Sequence, residues 1–240
     1  MAKEWIDESL EGGKEGEKIE GTPRCIFHIE PEYKKFIPRE FFDEPIEYFE
    51  THGTNIKPGE PKFDEEGELR DDPTAVKVLP DWSDDEGKKI QVVAKKVNIK
   101  KGKVAESGDP FHEYRIMVIL NKIGLPSPKP IARVESDDGH LIVMEKVSGL
   151  NPRDVIRLRD EGKISQEDLE KLLIQAESKI EQLKELFDEV GIIRNWHVKD
   201  MVVEIDFETM TITKLTPVDW ERTKIDEEKL RKYKEKINID

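Results

Sequence analysis

Three charged residues of this chain stand beside apolar neighbours, in an order that could bind a phosphoryl donor. Lys96 ends the strand-like run Val93-Ala94-Lys95-Lys96, Glu113 opens a helical segment, and Asp219 follows an apolar strand end at Val218. A phosphoryl donor carries several negative charges, so its site needs a fixed cation and a carboxylate that holds a metal ion. A carboxylate at the end of an apolar strand is costly unless a metal or a hydrogen-bond donor satisfies it. We therefore predict that Lys96 is the cation near the phosphates and that Asp219 is a metal ligand.

The helix that Glu113 opens adds a second charge to this set. Glu113 lies in line with the apolar stripe of its helix, so its carboxylate should have a partner, and Lys96 is the predicted one. Residues two apart in a strand share a face, which places Ala94 beside Lys96, and Ala94 is small enough to lie beside a purine. Simpler explanations stay open. Lys95-Lys96 can be a solvated pair on an edge strand, and Glu113 an exposed first-turn residue favoured by the helix dipole.

Four short segments in one fixed order resemble a known family. They are Val93-Ala94-Lys95-Lys96, the helix from Glu113 to Gly124-Leu125-Pro126, Leu141-Ile142-Val143-Met144-Glu145, and Val218-Asp219-Trp220-Glu221. Over about residues 75–225 the set is similar to the nucleotide-binding frame of the protein-kinase-like superfamily, and closest to its aminoglycoside-phosphotransferase, choline-kinase and RIO branches. The resemblance implies ATP and Mg²⁺ as cofactors. It also implies that Lys96 contacts the phosphates, that Glu113 orients this lysine, and that Asp219 binds the metal.

The third segment resembles the strand and hinge between the two lobes of that family. The resemblance implies that Met144 lines the pocket and that the main-chain groups of Glu145 and Val147 meet the adenine edge. Gly149 permits a sharp turn away from the strand. Without its neighbours, this segment would be an ordinary buried strand that ends in a glycine-containing loop.

The segment where the family keeps its catalytic loop departs from the pattern. The simplest alignment anchors the loop at Gly191-Ile-Ile and at Met201-Val-Val203. It puts Arg194, Trp196 and Met201 where the family has His, the catalytic Asp and the metal-binding Asn. An indole cannot accept a proton, and a thioether is a poor ligand for Mg²⁺. No glycine-rich phosphate loop is recognisable before Lys96 either, and both observations weaken the prediction of an active enzyme.

A second alignment makes Asp200 the catalytic base. Asp219 lies 19 positions after Asp200, which is also a reasonable interval for the family. This alignment needs Ile205 at the metal-binding position, for which Glu204 or Asp206 is the available substitute. His197 is the histidine of this loop, and we assign it no role.

The sequence thus favours a pseudokinase that binds adenine nucleotide weakly or vestigially and acts through protein contacts. One alternative is an active ATP-dependent phosphotransferase, acting on a small molecule or a protein, with Asp200 as base. The other is a structural or interaction protein that binds no nucleotide. Nineteen residues follow Glu221, so we expect the extra helical subdomain of small-molecule kinases to be absent or reduced, as in the shorter RIO type.

The elements around these residues predict a two-lobed α+β fold, with a β-rich N-terminal lobe and a mainly helical C-terminal lobe that contains a β-hairpin. We predict a mobile acidic lead over 1–22, an N-terminal lobe over 23–147 and a C-terminal lobe over 148–240. The longest helix is expected over about 166–190, opened by a capping box at Ser165 and Asp168 and closed by Gly191.

Composition restricts the partners and the compartment. The 240 residues include 40 Lys and Arg against 54 Asp and Glu, a net charge of −14, which disfavours direct binding to nucleic acid or to an anionic membrane. A single cysteine, Cys25, excludes an intrachain disulfide, and no signal peptide or apolar membrane span is recognisable. We therefore predict a cytoplasmic protein, with another protein as its expected partner. The oligomeric state is left open.

Overall fold

The protein is of the α+β class, with an antiparallel sheet of six strands and several helices. The structure is a computed structural model that describes residues 25–56, 74–97 and 109–237. The predicted lead over 1–22 lies outside the described residues. By contacts the chain divides into two units. The first comprises the described residues up to Phe111 and Pro130–Lys146, and the second comprises His112–Lys129 and the described residues from Val147 onward.

The first unit is built on the six-stranded sheet. In chain order, its strands are β1 (Cys25–Ile29), β2 (Thr54–Asn55), β3 (Thr74–Ser83), β4 (Lys89–Val97), β5 (Pro130–Ser136) and β6 (Gly139–Glu145). Their order across the sheet is β1-β5-β6-β4-β3-β2. Between β1 and β2 the chain forms a 3₁₀ helix, Pro31–Phe36, and the helices α1 (Arg39–Asp43) and α2 (Pro45–His52).

One face of this sheet forms a hydrophobic core with these helices. The chain forms two short helices here, because Pro45 lacks an N–H and begins α2 instead of continuing α1. Phe41 of α1 and Phe49 of α2 have no exposed surface. They share the core with Tyr33, Phe36, Trp82, Val92, Ala94, Val134, Leu141 and Val143, among others.

The second unit is mainly helical. Its helices are α3 (His112–Lys122), α4 (Pro152–Asp160), α5 (Gln166–Val190) and α6 (Glu227–Lys236). Its short strands are β7 (Ile192–Ile193), β8 (Met201–Asp206), β9 (Thr211–Pro217) and β10 (Lys224–Ile225). The strands β8 and β9 form the predicted hairpin, and β7 pairs with β10.

The longest helix, α5, has the ends that its sequence predicts. The Ser165 side chain accepts the N–H of Asp168, whose carboxylate in turn binds the N–H of Ser165, so two otherwise unsatisfied donors are paired. Gly191 ends the helix with φ of 89°, and a side chain there would also meet the Asp226 carbonyl at 2.7 Å. The stripe of α5 packs against the hairpin, although Leu173 is 41% exposed and lies outside that core.

A close approach of backbones fixes the start of the second unit against the hairpin. Leu150 and Val203 exchange backbone hydrogen bonds of 2.8 and 2.9 Å. Gly149 has φ of 118°, and a Cβ there would lie 2.4 Å from the Val203 carbonyl oxygen, so only glycine fits. Asn151 then caps α4, and Pro152 occupies its first position.

Candidate functional site

Two aspartates lie close along the backbone where the hairpin of the second unit is joined to the rest of the chain. Met201 of β8 lies opposite Pro217 of β9, so the residue before the first strand neighbours the residue after the second. The N–H of Val218 accordingly donates to the carbonyl oxygen of Asp200, at 2.7 Å. Asp219 is the next residue. Strand register, rather than proximity in sequence, therefore brings Asp200 beside Asp219.

The two carboxylates influence each other electrostatically. Partial burial raises the pKa of Asp200, and the negative charge of Asp219 raises it further. The positive charges of Lys199, Arg194 and His197 act in the opposite direction without cancelling the rise. The Asp200 side chain is 18% exposed. A cation bound to both carboxylates would relieve this repulsion, because each charged form would then be favoured.

The backbone of Asp219 adopts a rare conformation. Its φ is 67°, in the left-handed region, and among the described non-glycine residues only Met210 shares a positive φ. Aspartate tolerates this region better than most residues, yet the conformation still costs free energy. Such backbone strain clusters at functional sites, where the surrounding structure holds it in place.

The first turn of α3 contacts the loop that follows Asp219. Glu113 is 6% exposed, and its Oε1 accepts a hydrogen bond from the main-chain N–H of Trp220 at 3.1 Å. The ring of His112 bonds to the carbonyl oxygen of Thr223. Glu113 is thus buried, as its place in the apolar stripe predicts, and it binds the Val218–Glu221 segment. Its pairing with Lys96, which belongs to the first unit, stays a prediction.

A buried arginine lies close to the carboxylate pair. The guanidinium of Arg194 is stacked 4.4 Å from the ring centre of Trp220 and 5.1 Å from that of Trp196. Its Nη2 donates to the Val218 carbonyl oxygen at 3.3 Å and lies 4.0 Å from Oδ2 of Asp200. Burial lowers the pKa of Arg194, while the charges of Asp200, Asp219 and Glu113 act against that decrease.

The carboxylates of this cluster outnumber its basic groups. Asp200, Asp219 and Glu113 all act on Arg194, and Lys199 acts on Asp200, so three carboxylates and two basic side chains leave one negative charge when these five groups are ionised. Within residues 25–56, 74–97 and 109–237, no group of three His, Cys, Asp or Glu side chains is arranged to hold a metal. Mg²⁺ commonly takes one or two carboxylates and completes its shell with water and phosphate oxygens. Asp200 and Asp219 suit that mode of binding.

Trp196 and Met201 are not placed as the simplest alignment predicts. Met201 is 1% exposed and lies in the core beneath the hairpin, on the same strand face as Val203. Trp196 packs edge-on against Phe187, with ring centres 5.2 Å apart. The position next to Val218-Asp219 is occupied by Asp200 and not by Met201.

The second alignment also meets a difficulty. Ile205, which it puts at the metal-binding position, packs against the core of the second unit. Glu204 pairs with Lys214 at 3.3 Å, and the Asp206 carboxylate accepts the N–H of Glu208 in the hairpin turn. These residues lie towards the far end of β8 from Asp200. The substitutes required for Asp200 as base therefore have other partners.

Lys96 is held within the first unit by a carboxylate of α2. Its Nζ lies 2.8 Å from Oε1 of Glu50, and Lys77 contacts the other oxygen of the same carboxylate at 2.9 Å. Burial acts to raise the pKa of Glu50, but the hydrogen bonds from Lys96 and Lys77 outweigh it and lower the pKa overall. The Lys96 ammonium therefore has a structural partner on the helix-covered face.

The two faces of β4 carry different lysines. Ala94 is fully buried in the core under α1 and α2, so the predicted place for a purine beside Ala94 is wrong. Lys95 points to the other face, together with Val93, which lies opposite Met144 in β6. Lys95 is 8% exposed. Sequence reasoning passed over it because Val92 and Ala94 are as apolar as Val93, so alternation alone does not identify the helix-covered face.

The predicted hinge residues lie at the end of β6 and just after it. Met144 is 9% exposed. Glu145 accepts a 2.6 Å hydrogen bond from the Tyr33 hydroxyl, and burial followed by this bond raises the Tyr33 pKa strongly. The N–H of Lys146 donates to the Gln91 carbonyl at 2.8 Å, so main-chain pairing with β4 continues past β6. Val147 is half-buried and begins the second unit.

Comparison with known proteins identifies no relative. No protein-family model matches the chain, and no curated protein matches its sequence. Within the described ranges, no helix combines the length and apolarity needed to cross a bilayer. The resemblance to the kinase-like superfamily thus stays a prediction that rests on the ordered motifs.

Proposed function

We propose that this chain is a cytoplasmic protein of the kinase-like type. It binds an adenine nucleotide with Mg²⁺, transfers phosphoryl groups very slowly or not at all, and acts through contacts with another protein. The observation that carries the proposal is the pair Asp200 and Asp219, brought together by the register of β8 and β9. A partly buried carboxylate pair with a raised pKa at Asp200 is a setting that favours a bound cation.

In this proposal Asp200 and Asp219 hold the metal, and nucleotide phosphates and water supply its other ligands. When bound, Mg²⁺ would neutralise negative charge on the phosphates. The protein's own contribution is the fixed geometry of the two carboxylates. Arg194 offsets part of their charge when the metal is absent.

The register of the loop also bears on catalysis. In the alignment with the family, the base precedes the metal-binding residue by five positions. With Asp200 as the metal-binding residue, the base position falls on Asn195, which is exposed. An amide is not a useful proton acceptor, and loss of a general base typically costs about 10²–10⁴ in rate. This register therefore supports a pseudokinase, as the first alignment did, although through a different residue.

The first unit carries two candidates for the phosphate-binding lysine that the resemblance implies. Met144 is the residue that the resemblance assigns to the nucleotide, and Lys95 shares its sheet face while Lys96 does not. We therefore assign the phosphate-binding role to Lys95. Lys96 keeps the structural pairing with Glu50.

Titration of Mn²⁺, followed by the loss of its free electron paramagnetic resonance signal, tests the metal site directly. We expect the wild type to bind one Mn²⁺, more tightly with ATP present, and Asp219→Asn and Asp200→Asn each to weaken binding. Asp188→Asn is the matched control, because it removes the same charge from an exposed position on α5. Absence of binding in the wild type, or equal loss in Asp188→Asn, would contradict the proposal.

Nucleotide binding is measured separately by thermal unfolding. Ligand linkage predicts a stability gain of about 2.7 kcal/mol at a hundredfold excess of ligand over its Kd. We expect a rise in Tm with ATP and Mg²⁺ in the wild type and a smaller rise in Asp219→Asn. An unchanged Tm in both would favour the structural or interaction protein. Robust ATP turnover in the wild type would favour the active phosphotransferase.

A further inference from the structure

The peptide groups on either side of Asp219 are both bound by buried charged side chains. Arg194 donates to the carbonyl oxygen of Val218, at 3.3 Å, and Glu113 accepts the N–H of Trp220, at 3.1 Å. These two groups belong to the peptide planes that flank the α-carbon of Asp219. Fixing both planes fixes the φ and ψ of that residue.

We propose that Arg194 and Glu113 are positioning residues that clamp Asp219 in its left-handed conformation and so set the affinity of its carboxylate for a metal. The inference rests on the proposed function, since it concerns the same cation. It adds Arg194 and Glu113, which contact the backbone beside the metal-binding residue Asp219 and need not contact the metal itself.

The form of the Arg194 contact suits a clamp. Its side chain is 3% exposed and stacks on the rings of Trp196 and Trp220, so the guanidinium has little freedom to turn. A planar guanidinium can stack on an indole while it donates in its own plane, whereas a lysine ammonium has no such plane. The position therefore demands arginine for its shape and not for its charge alone.

Burial makes the Glu113 contact equally specific. A carboxylate that is 6% exposed keeps its orientation because its oxygens have few solvent alternatives. The left-handed φ of 67° at Asp219 needs such support, since an unrestrained aspartate would relax to a commoner conformation. The clamp thus joins α3 and the 191–200 loop to a single residue of the Val218–Glu221 segment.

For Arg194, an electrostatic role and a positioning role predict opposite changes in metal affinity, which makes the inference testable. A fixed positive charge near a metal site repels the metal, so a purely electrostatic Arg194 would weaken binding and its removal would tighten it. A purely electrostatic Glu113 would strengthen binding through its negative charge. A positioning role predicts weaker metal binding in Arg194→Met, Arg194→Lys and Glu113→Ala. It also predicts recovery in Glu113→Gln, which keeps an acceptor for Trp220 and loses the charge.

The experiment is Mn²⁺ titration of the full chain, with the unfolding free energy of each variant measured in parallel. We expect affinity to fall about 10- to 100-fold in Arg194→Lys, Arg194→Met and Glu113→Ala, as for other residues that orient metal ligands. Glu113→Gln should recover most of the loss. Leu169→Ala removes a buried side chain in the first turn of α5, at the opposite end of that helix from the rings that hold Arg194, so it should lower stability and keep the affinity.

Four results would overturn the inference. Tighter binding in Arg194→Met would show that the charge dominates, and unchanged binding in Arg194→Lys would show that the planar group is not required. A loss in Leu169→Ala as large as that in Arg194→Lys would show a general effect of instability. Failure of the wild type to bind Mn²⁺ would contradict the proposed function itself, and the inference with it.

Discussion

The N–H of Val218 donates a 2.7 Å hydrogen bond to the carbonyl oxygen of Asp200. This bond continues the ladder of β8 and β9 beyond their last paired residues, Met201 and Pro217. It joins the segment that carries one carboxylate to the segment that carries the other. The pairing at the base of the hairpin therefore sets how far apart the backbones of Asp200 and Asp219 lie.

The cost of the left-handed backbone at Asp219 can be measured by comparing two variants. Asp219→Gly removes the carboxylate and adopts a positive φ without steric cost, so it should be about 1 kcal/mol more stable than Asp219→Ala in the absence of metal. Asp219→Ala removes the same carboxylate and keeps the strain. Urea unfolding without metal should therefore rank glycine above alanine. The reverse order would show that the left-handed backbone at this position is not strained.

The two lysines of β4 should differ in their effect on nucleotide binding. Lys95→Met is expected to abolish most of the rise in Tm with ATP and Mg²⁺, because Lys95 shares the face of Met144. Lys96→Met should keep that rise and lower basal stability, because it leaves Glu50 with one ammonium instead of two. The opposite pattern would restore the assignment of Lys96 that the sequence alone suggests.

Part of this architecture is predictable from sequence. The ends of α5 follow from Ser165, Asp168 and Gly191, because capping residues satisfy specific backbone groups next to them in the chain. The hairpin β8-β9 is predictable from its two apolar runs. Such features are local, so neighbouring residues determine them.

The choice between adjacent residues is not local. In Val92-Val93-Ala94 three apolar residues follow one another, so the sequence shows no alternation that assigns Lys95 or Lys96 to a face. The choice depends on α1 and α2, which lie about 40 residues earlier and cover one side of the sheet. The choice between Asp200 and Met201 presents the same difficulty. Adjacent residues of a strand point to opposite faces, so an alignment that is wrong by one residue selects a core residue in place of a site residue.

Under the proposed function, ATP turnover should be gained by a carboxylate at position 195. Asn195→Asp puts a carboxylate five positions before Asp200, and we expect ATP turnover to increase by about 10²-fold or more. Met201→Asn should instead destabilise the protein by about 2–4 kcal/mol, because it puts an amide into the core at a position that is 1% exposed. Activity gained through Trp196→Asp with Met201→Asn, and not through Asn195→Asp, would support the first alignment.

The pairing of Glu50 predicts a dependence of stability on pH. Its folded pKa is lowered, so its contribution is present above its unfolded pKa and is lost as the pH falls through the folded value. Glu50 is 47% exposed at its side chain, so solvent screening limits the effect to about 0.2–1 kcal/mol. The difference in unfolding free energy between wild type and Glu50→Gln should be present at pH 7 and shrink below about pH 4. A difference that is constant with pH would exclude an ionic origin.

The hydrogen bond between Glu113 and the N–H of Trp220 joins α3 to the proposed cation site. Thermodynamic linkage is reciprocal, so if the first turn of α3 favours the bound state of Asp219, a bound metal must favour the ordered state of that turn by the same free energy. Amide hydrogens at the start of α3 should then exchange with solvent more slowly when the cation is present. A helix more than 100 residues earlier in the chain would thereby report whether the carboxylate site is filled.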